Sequence, residues 1–513
     1  VSETTAVLTG QGPQAAPPPT GGSRILVLGA GIAGLVAAYE LELRGHRVEV
    51  LEASTRIGGR VHTHRFGTGP TAPAAELGAM RIPAHHRRTL EYVRRIGLEG
   101  QLRPFPTLLS DENAFLPTSV GFVRVRDAAR PLMEGFRREL EAHRPGLRQA
   151  PEVSVVGAWL TAVIDAIAPP DLRSALREDL RHQLLELLAR VDVRPHMRGP
   201  GGDRVCLHSL FTVHPGLRAG LSQRLDSFLD DILTETGPAL ARLHGGMDQL
   251  PYGIARRLSR PVWHGHTVVG IDVGREGVRV HSTSGPENLT TAREADFAVC
   301  TLPFSSLCRV RLTGVDADKR AVLEEVEYCP ATKVAFHCRE PFWHAYGIES
   351  GASSTGGRIR QTYYPPVDGG QEDGAVLLAS YTIGEEAASL GRLDPDRRHL
   401  LVLDELGALH PELLRPGMVL GAVSTVWGGD SPWNAGCTTR WGKSPAACES
   451  ERARAARPVA DRLFFAGEHC STAPAWIEGA IESAVRAVDD LARAGSALPS
   501  HTAHCHHDAT GPV

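Results

Sequence analysis

The sequence carries no excess charge of either sign: 55 Lys and Arg stand against 59 Asp and Glu, a formal net charge of −4 over 513 residues. That balance offers no electrostatic footprint for nucleic acid or for an acidic membrane surface, and neither partner is expected. Long apolar runs are missing as well. The longest weakly polar stretch, Ile25 to Tyr39, contains three glycines and falls short of the roughly 20 residues a membrane-spanning helix needs. The nine cysteines are odd in number and none are spaced as CxxC. This argues against a disulfide scaffold or a zinc site and for a reduced, cytoplasmic protein. The chain opens without a basic segment leading into an apolar core, so no secretory signal is read. Its first residue is Val, which leaves a removed leader open. No internal repeat with a period of about 20–50 residues is visible.

What is present is ordinary globular composition, 42% hydrophobic and 22% charged. At about 150 residues per domain, the length suggests about three domains. Residues 1–22, with Pro17-Pro18-Pro19 and Gly21-Gly22, read as a disordered arm, and residues 496–513 as a disordered tail. The tail holds His501, His504, Cys505, His506 and His507. It is read as an unstructured His-rich end, and no metal is expected.

Between these ends the patterning changes three times. Arg24–Leu28 reads as a strand, Leu35–Leu43 as a helix stopped by Gly45, and Arg47–Leu51 as a second strand. Strand, helix and strand within about thirty residues form the unit of a parallel sheet. From about 113 to 239 the pattern is mostly helical, through Arg137–Leu140, Leu172–Leu188 and Leu221–Leu243. Strand patterns return at His266–Val280, with Gly274 and Gly277 framing a turn, and again at Thr332–His337, Ala375–Tyr381 and Leu463–Ala466. A helix is expected over Ile477–Ala494.

Gly29, Gly31 and Gly34 form GxGxxG directly between the first strand and the first helix. The first glycine permits the tight turn, the second lets a pyrophosphate approach the backbone, and the third lets helix and strand pack closely. The helix N-terminus then presents unpaired N–H groups to phosphates. Glu52 ends the second strand, 18 residues past Gly34, where a carboxylate can accept hydrogen bonds from a ribose diol. A dinucleotide site on a Rossmann-like unit is the expectation.

The next segment, Glu52-Ala-Ser-Thr-Arg-Ile-Gly-Gly-Arg60, and the C-terminal Leu463–Cys470 and Ala475–Ala484 stretches resemble the cofactor motifs of the flavin amine oxidase family. The motifs run from residue 24 to 487, nearly the whole ordered chain. The resemblance implies an α/β fold with α+β elements. A Rossmann-like FAD-binding domain (23–73, 240–310 and 455–495) would join a mixed-sheet substrate domain (74–112 and 311–454) and a helical insertion (113–239). It also implies that Arg56 and Arg60 lie along FAD, with Gly58 and Gly59 letting the chain pass close to it. Glu468 would contact the cofactor, and the final helix, from Trp476 and Ile477, would point at the flavin pyrimidine edge. Val268 would hold the adenine through its backbone.

Three stretches resemble the L-amino acid oxidase branch in particular. In Glu76–Pro83, with Gly78 and Met80 along the cofactor, Arg81 would clamp the substrate carboxylate; a planar guanidinium suits bidentate capture. In Leu378–Glu386, Tyr381 would hydrogen-bond the same carboxylate and Ile383 would add an apolar contact. Leu243–Pro251 would be a connecting turn without chemistry. Lys333 matches the lysine that holds a water near flavin N5, steering O2 reduction or imine hydrolysis. Its cost in an apolar strand argues for such a role. Trp476 would wall the pocket.

Cys437 falls near the position where monoamine oxidases bond the flavin. Non-covalent FAD, with Cys437 as a pocket or core residue, is the expectation. Arg440 would favour an acidic side chain and the Asp230-Asp231 pair a basic one, so the preference is open.

The implied activity is oxidative deamination of an L-amino acid. Hydride would pass from Cα to flavin N5, and O2 would return H2O2 alongside ammonia and a 2-oxo acid. Alternatives are an amino acid 2-monooxygenase, a biosynthetic oxidase of a modified amino acid or amine, and a non-catalytic protein like the GDP dissociation inhibitors. Homodimers are common among such proteins, and a homodimer is expected.

Overall fold

The computed structural model describes residues 22–69, 72–237, 239–367, 373–429, 436–439 and 445–497. Its centre is a four-stranded parallel sheet. The order is Arg47–Leu51, Arg24–Leu28, Phe297–Cys300 and Leu463–Phe465. These strands read as short, almost wholly apolar runs because both faces are covered. The helix Ile32–Leu43 and the closing helix Ile477–Ala497 pack together on one face, over Val27, Leu35, Phe464 and Ile481. The other face meets an antiparallel meander, Thr267–Val273, Val278–Ser284 and Leu289–Ala295, through Leu26, Leu28, Ile271 and Val280.

A second sheet has five strands in the order Gly351–Ser354, Gln361–Tyr364, Ala375–Ile383, Ala331–Cys338 and Val419–Trp427, all antiparallel. Helices between 129 and 235 share one core with this sheet, where Trp159, Leu180, Phe211 and Ile232 adjoin Tyr363 and Leu378. The helical run Leu172–Leu188 forms as expected but with a π-type turn at Leu180–Leu184. No helix among the described residues is long and apolar enough to cross a membrane.

One element departs from expectation. The pattern Leu221–Leu243 is helical only over Gln223–Glu235, and Leu240–Leu243 is a strand pairing with Ile82–Pro83 and Leu102–Pro104. The apolar period of Leu225, Phe228, Leu229 and Ile232 ends there, and Thr236 turns its hydroxyl back onto the Ile232 carbonyl at 2.8 Å. Glu235 is thereby left as the last residue of the helix.

The turn after the first strand is closely packed. A Cβ on Gly34 would sit 1.9 Å from the Gly29 carbonyl oxygen and 3.0 Å from Thr301 Oγ1. Gly34→Ala is therefore expected to lower stability by about 1–3 kcal/mol, the usual cost of forcing a methyl into a full site. A denaturant midpoint equal to that of the parent would contradict this contact.

Candidate active site

A cavity of about 630 Å³ runs between the two sheets. One end is formed by Gly29, Gly31, Glu52 and Val268, the other by Arg81, Lys333, Tyr381 and Ile383. Gly29, at φ +101°, adopts a backbone conformation that L side chains rarely take. Gly31 caps the first helix with no side-chain acceptor on its N–H groups. Across the gap, a Cβ on Gly59 would lie 3.3 Å from Gly31 Cα, so any side chain would fill the cradle. Bare backbone and unpaired helix N–H groups at the cavity wall fit a pyrophosphate. Glu52 accepts from the backbone N–H of Ala30 at 2.7 Å and of Ser54 at 2.9 Å, which fixes its carboxylate at the cavity edge. These features fit a dinucleotide such as FAD.

The middle of the cavity is built around an ion pair whose carboxylate, Glu468, is buried. Arg60 Nη1 donates to Glu468 Oε1 at 2.7 Å and to the Cys437 carbonyl at 3.2 Å. Glu468 also accepts from Thr439 Oγ1 at 2.8 Å and from the Ala475 N–H at 3.1 Å. Burial opposes charge on the Glu468 carboxyl, but Arg60, His469 and the hydrogen bond from Ala475 together hold its pKa below the ordinary value. Gly58, Gly78, Met80, Cys437, Trp476 and Ile477 line this part of the cavity.

At the far end Lys333 is 4% exposed. Its Nζ donates to the carbonyls of Gly78 at 2.7 Å and Glu76 at 3.2 Å, and lies 3.4 Å from Met80 Sδ. It also sits 4.7 Å from the centre of the Tyr381 ring. Burial pulls the amine down to about 7, although Glu76 favours its charge. Burial likewise pushes the Glu76 carboxyl up to about 7, against hydrogen bonds from Met247 N and Thr63. Arg81 lies between Trp476 and Phe105, 5.8 and 5.9 Å from the ring centres. Its Nη1 donates to Glu235 Oε2 at 2.7 Å and its Nη2 to Oε1. Burial opposes both charges, and mutual attraction prevails: Arg81 rises above its ordinary pKa and Glu235 falls below.

Most residues singled out from the sequence thus face one cavity. Arg56 does not: its guanidinium turns to the carbonyls of Ile57 and Val61 at 3.3 and 3.4 Å. Gly34 is also absent from the wall, being spent on helix–strand packing. Of the acidic pair, Asp230 bonds Arg218 on the surface at 2.7 Å, whereas Asp231 lines the cavity. Arg440 lies outside the described residues.

Glu235, Arg360, Gln361, Phe228 and Ile167 also line the wall and were not anticipated. Glu235 had a signal: it continues the apolar stripe of Phe228 and Ile232 by one more helical step, an acid where a core residue belongs. Arg360, in a turn between strands, had none.

The model of the flavin-containing amine oxidoreductase family matches residues 32–492. A flavin-dependent L-tryptophan oxidase of Lentzea aerocolonigenes is 54% identical over 470 residues, spanning 91% of this chain and 98% of the relative. An L-amino-acid oxidase of Mus musculus is 31% identical over 482 residues, 90% of this chain and 70% of the relative. Among solved structures, the cyclohexylamine oxidase of Brevibacterium oxydans has a TM-score of 0.62 at 20% identity, with 93% of this chain and 100% of that one covered. That last likeness is one of fold.

Lys333 gives the site a measurable signature. Between pH 7 and 10.5 the unfolded chain holds a proton on this lysine that the folded protein has lost. Raising the pH therefore favours the fold in that window. The melting temperature of the parent relative to Lys333→Met should climb as pH rises from 7 towards 10. A difference independent of pH would contradict the depressed value.

Proposed function

The chain belongs to the flavin-containing amine oxidoreductase family, and from that premise we propose that it is an FAD-dependent L-amino acid oxidase. Its products would be the 2-oxo acid, ammonia and H2O2, with O2 as the terminal acceptor. The observation that carries this reading is the placement of an arginine, Arg81, at the cavity end that holds Lys333 and Tyr381. A guanidinium is the group for a carboxylate, and a simple amine brings none.

FAD, when bound, supplies the two-electron acceptor for the Cα–H bond. Gly29, Gly31 and Gly59 would admit its pyrophosphate against bare backbone, Glu52 would take the ribose, and the Arg60–Glu468 pair would hold the wall beside it. Arg81 and the Tyr381 hydroxyl would fix the substrate carboxylate, so that the α-carbon is presented in one orientation. Orientation of that kind contributes several kcal/mol to a barrier. Trp476 lines the cavity beside Arg81, its ring centre 5.8 Å from the guanidinium. Lys333, held by two backbone carbonyls, takes up or gives a proton near neutral pH. It would serve a water at the reacting carbon or a proton needed in O2 reduction.

Ile167, Phe228 and Ile383 offer an apolar wall to the side chain. That wall supports a large aromatic substrate, tryptophan first, and the relative named for that substrate supports the same choice.

The test is anaerobic addition of L-amino acids to the yellow holoenzyme. Bleaching of the visible flavin bands is expected with aromatic L-amino acids and not with their D-forms or with the corresponding amines. Under air the expected products are the 2-oxo acid and ammonia. Bleaching by tryptamine as readily as by tryptophan would overturn the reading, as would an amide with CO2 as the aerobic products.

A further inference from the structure

The side-chain end of the cavity holds two guanidiniums and one carboxylate, and of these Arg360 and Glu235 are buried. Arg81 is bound end-on by Glu235, which also accepts from the Tyr363 hydroxyl at 3.1 Å. Arg360 lines the same cavity and is 3% exposed. Its Nε donates to the Ala166 carbonyl at 3.3 Å, while its buried Nη1 has no partner. The backbone of Arg360 lies at φ +58°, a strained choice for a long side chain, and burial opposes its charge while Tyr381, Glu386 and Glu235 favour it.

Of the nearby carboxylates, Glu386 also favours the Arg360 charge, and Asp231 lines the cavity. Glu386 pairs with Arg173 at 3.5 Å. Asp231 is exposed to water. Within the set of Arg81, Glu235 and Arg360, two positive charges face one carboxylate. A buried charge without a counter-charge is costly, and Glu235 lies within the field of both arginines.

We propose that Glu235 is a movable stand-in for the substrate carboxylate: the amino acid takes Arg81 and Glu235 passes to Arg360. Each arginine then has one carboxylate. An amine without a carboxylate brings no anion and leaves two positive charges facing one carboxylate, so the exchange discriminates by charge before chemistry. The proposal rests on reading this cavity as an amino acid site.

The test titrates benzoate, a carboxylate with no amine, into oxidised holoenzyme in a zwitterionic, chloride-free buffer. Perturbation of the flavin spectrum gives Kd without turnover. Arg360→Gln leaves Glu235 nowhere to go and should weaken benzoate about tenfold or more, whereas Glu235→Gln removes the competitor and should tighten it about tenfold. The double variant should bind benzoate within about threefold of Glu235→Gln alone, since Arg360 has no carboxylate left to receive, and that departure from additivity is the mark of coupled groups.

Arg360→Gln within twofold of the parent overturns the exchange. Weakening that the second substitution does not rescue also overturns it, by placing the carboxylate on Arg360 directly. Should Arg360→Gln fail to fold, Glu235→Gln decides alone, because a Glu235 that merely positions Arg81 gives weaker binding, the opposite sign. If the benzoate pattern holds while no L-amino acid bleaches the flavin, the oxidase reading falls and the exchange stands. If bleaching occurs without the pattern, the exchange falls alone.

Discussion

One ion pair, Arg60 with the buried Glu468, ties together segments that lie 408 residues apart in sequence. Taking the Glu468 carboxylate out of water is costly unless it is paired and hydrogen-bonded. Here Thr439, Ala475 and the Cys437 carbonyl supply the remaining bonds. The glycine turn at 58–60, the segment 436–439 and the entry to the closing helix are thereby fixed against one another. All three form the middle of the cavity. Losing Arg60 would strand the Glu468 charge in the interior and loosen three walls together.

The two ends of the cavity were not equally legible. At the nucleotide end the chemistry constrains the backbone, and backbone constraints are written in residue type. Gly29 needs a positive φ, Gly34 needs to lack a side chain, and Glu52 closes a strand at a fixed spacing. The parallel sheet was readable for the same reason, since strands covered on both faces are continuous apolar runs. The limits were also physical. Arg56 has the composition of a ligand-binding arginine, yet local carbonyls are nearer and claim it.

At the substrate end, position comes from tertiary packing. Glu235 reaches the cavity because its helix stops after that residue, and sequence periodicity carried the helix eight residues further. Arg360 reaches it from a turn whose backbone conformation no residue type announces. Asp230 and Asp231 are neighbours with opposite fates, one bonded on the surface and one on the cavity wall. A single step around a helix separates them, and only the packed structure says which one faces in. The apolar wall of Ile167 and Phe228 belongs to helices whose register against the five-stranded sheet is set by the shared core.

The parallel sheet draws its strands from residues 24–51, 297–300 and 463–465. This arrangement governs how the molecule is made. During synthesis the amino-terminal strands emerge with no partner on their inner edge, and the last strand is the outermost and the latest to arrive. Pairings of such long sequence separation form slowly and leave unpaired edges open meanwhile. The closing helix and Glu468 follow still later, so a nascent chain displays the glycine turn long before it owns the clasp that completes the cradle. The complete cradle therefore belongs to the finished fold alone, and a dinucleotide bound there stabilises that fold over every partly made one.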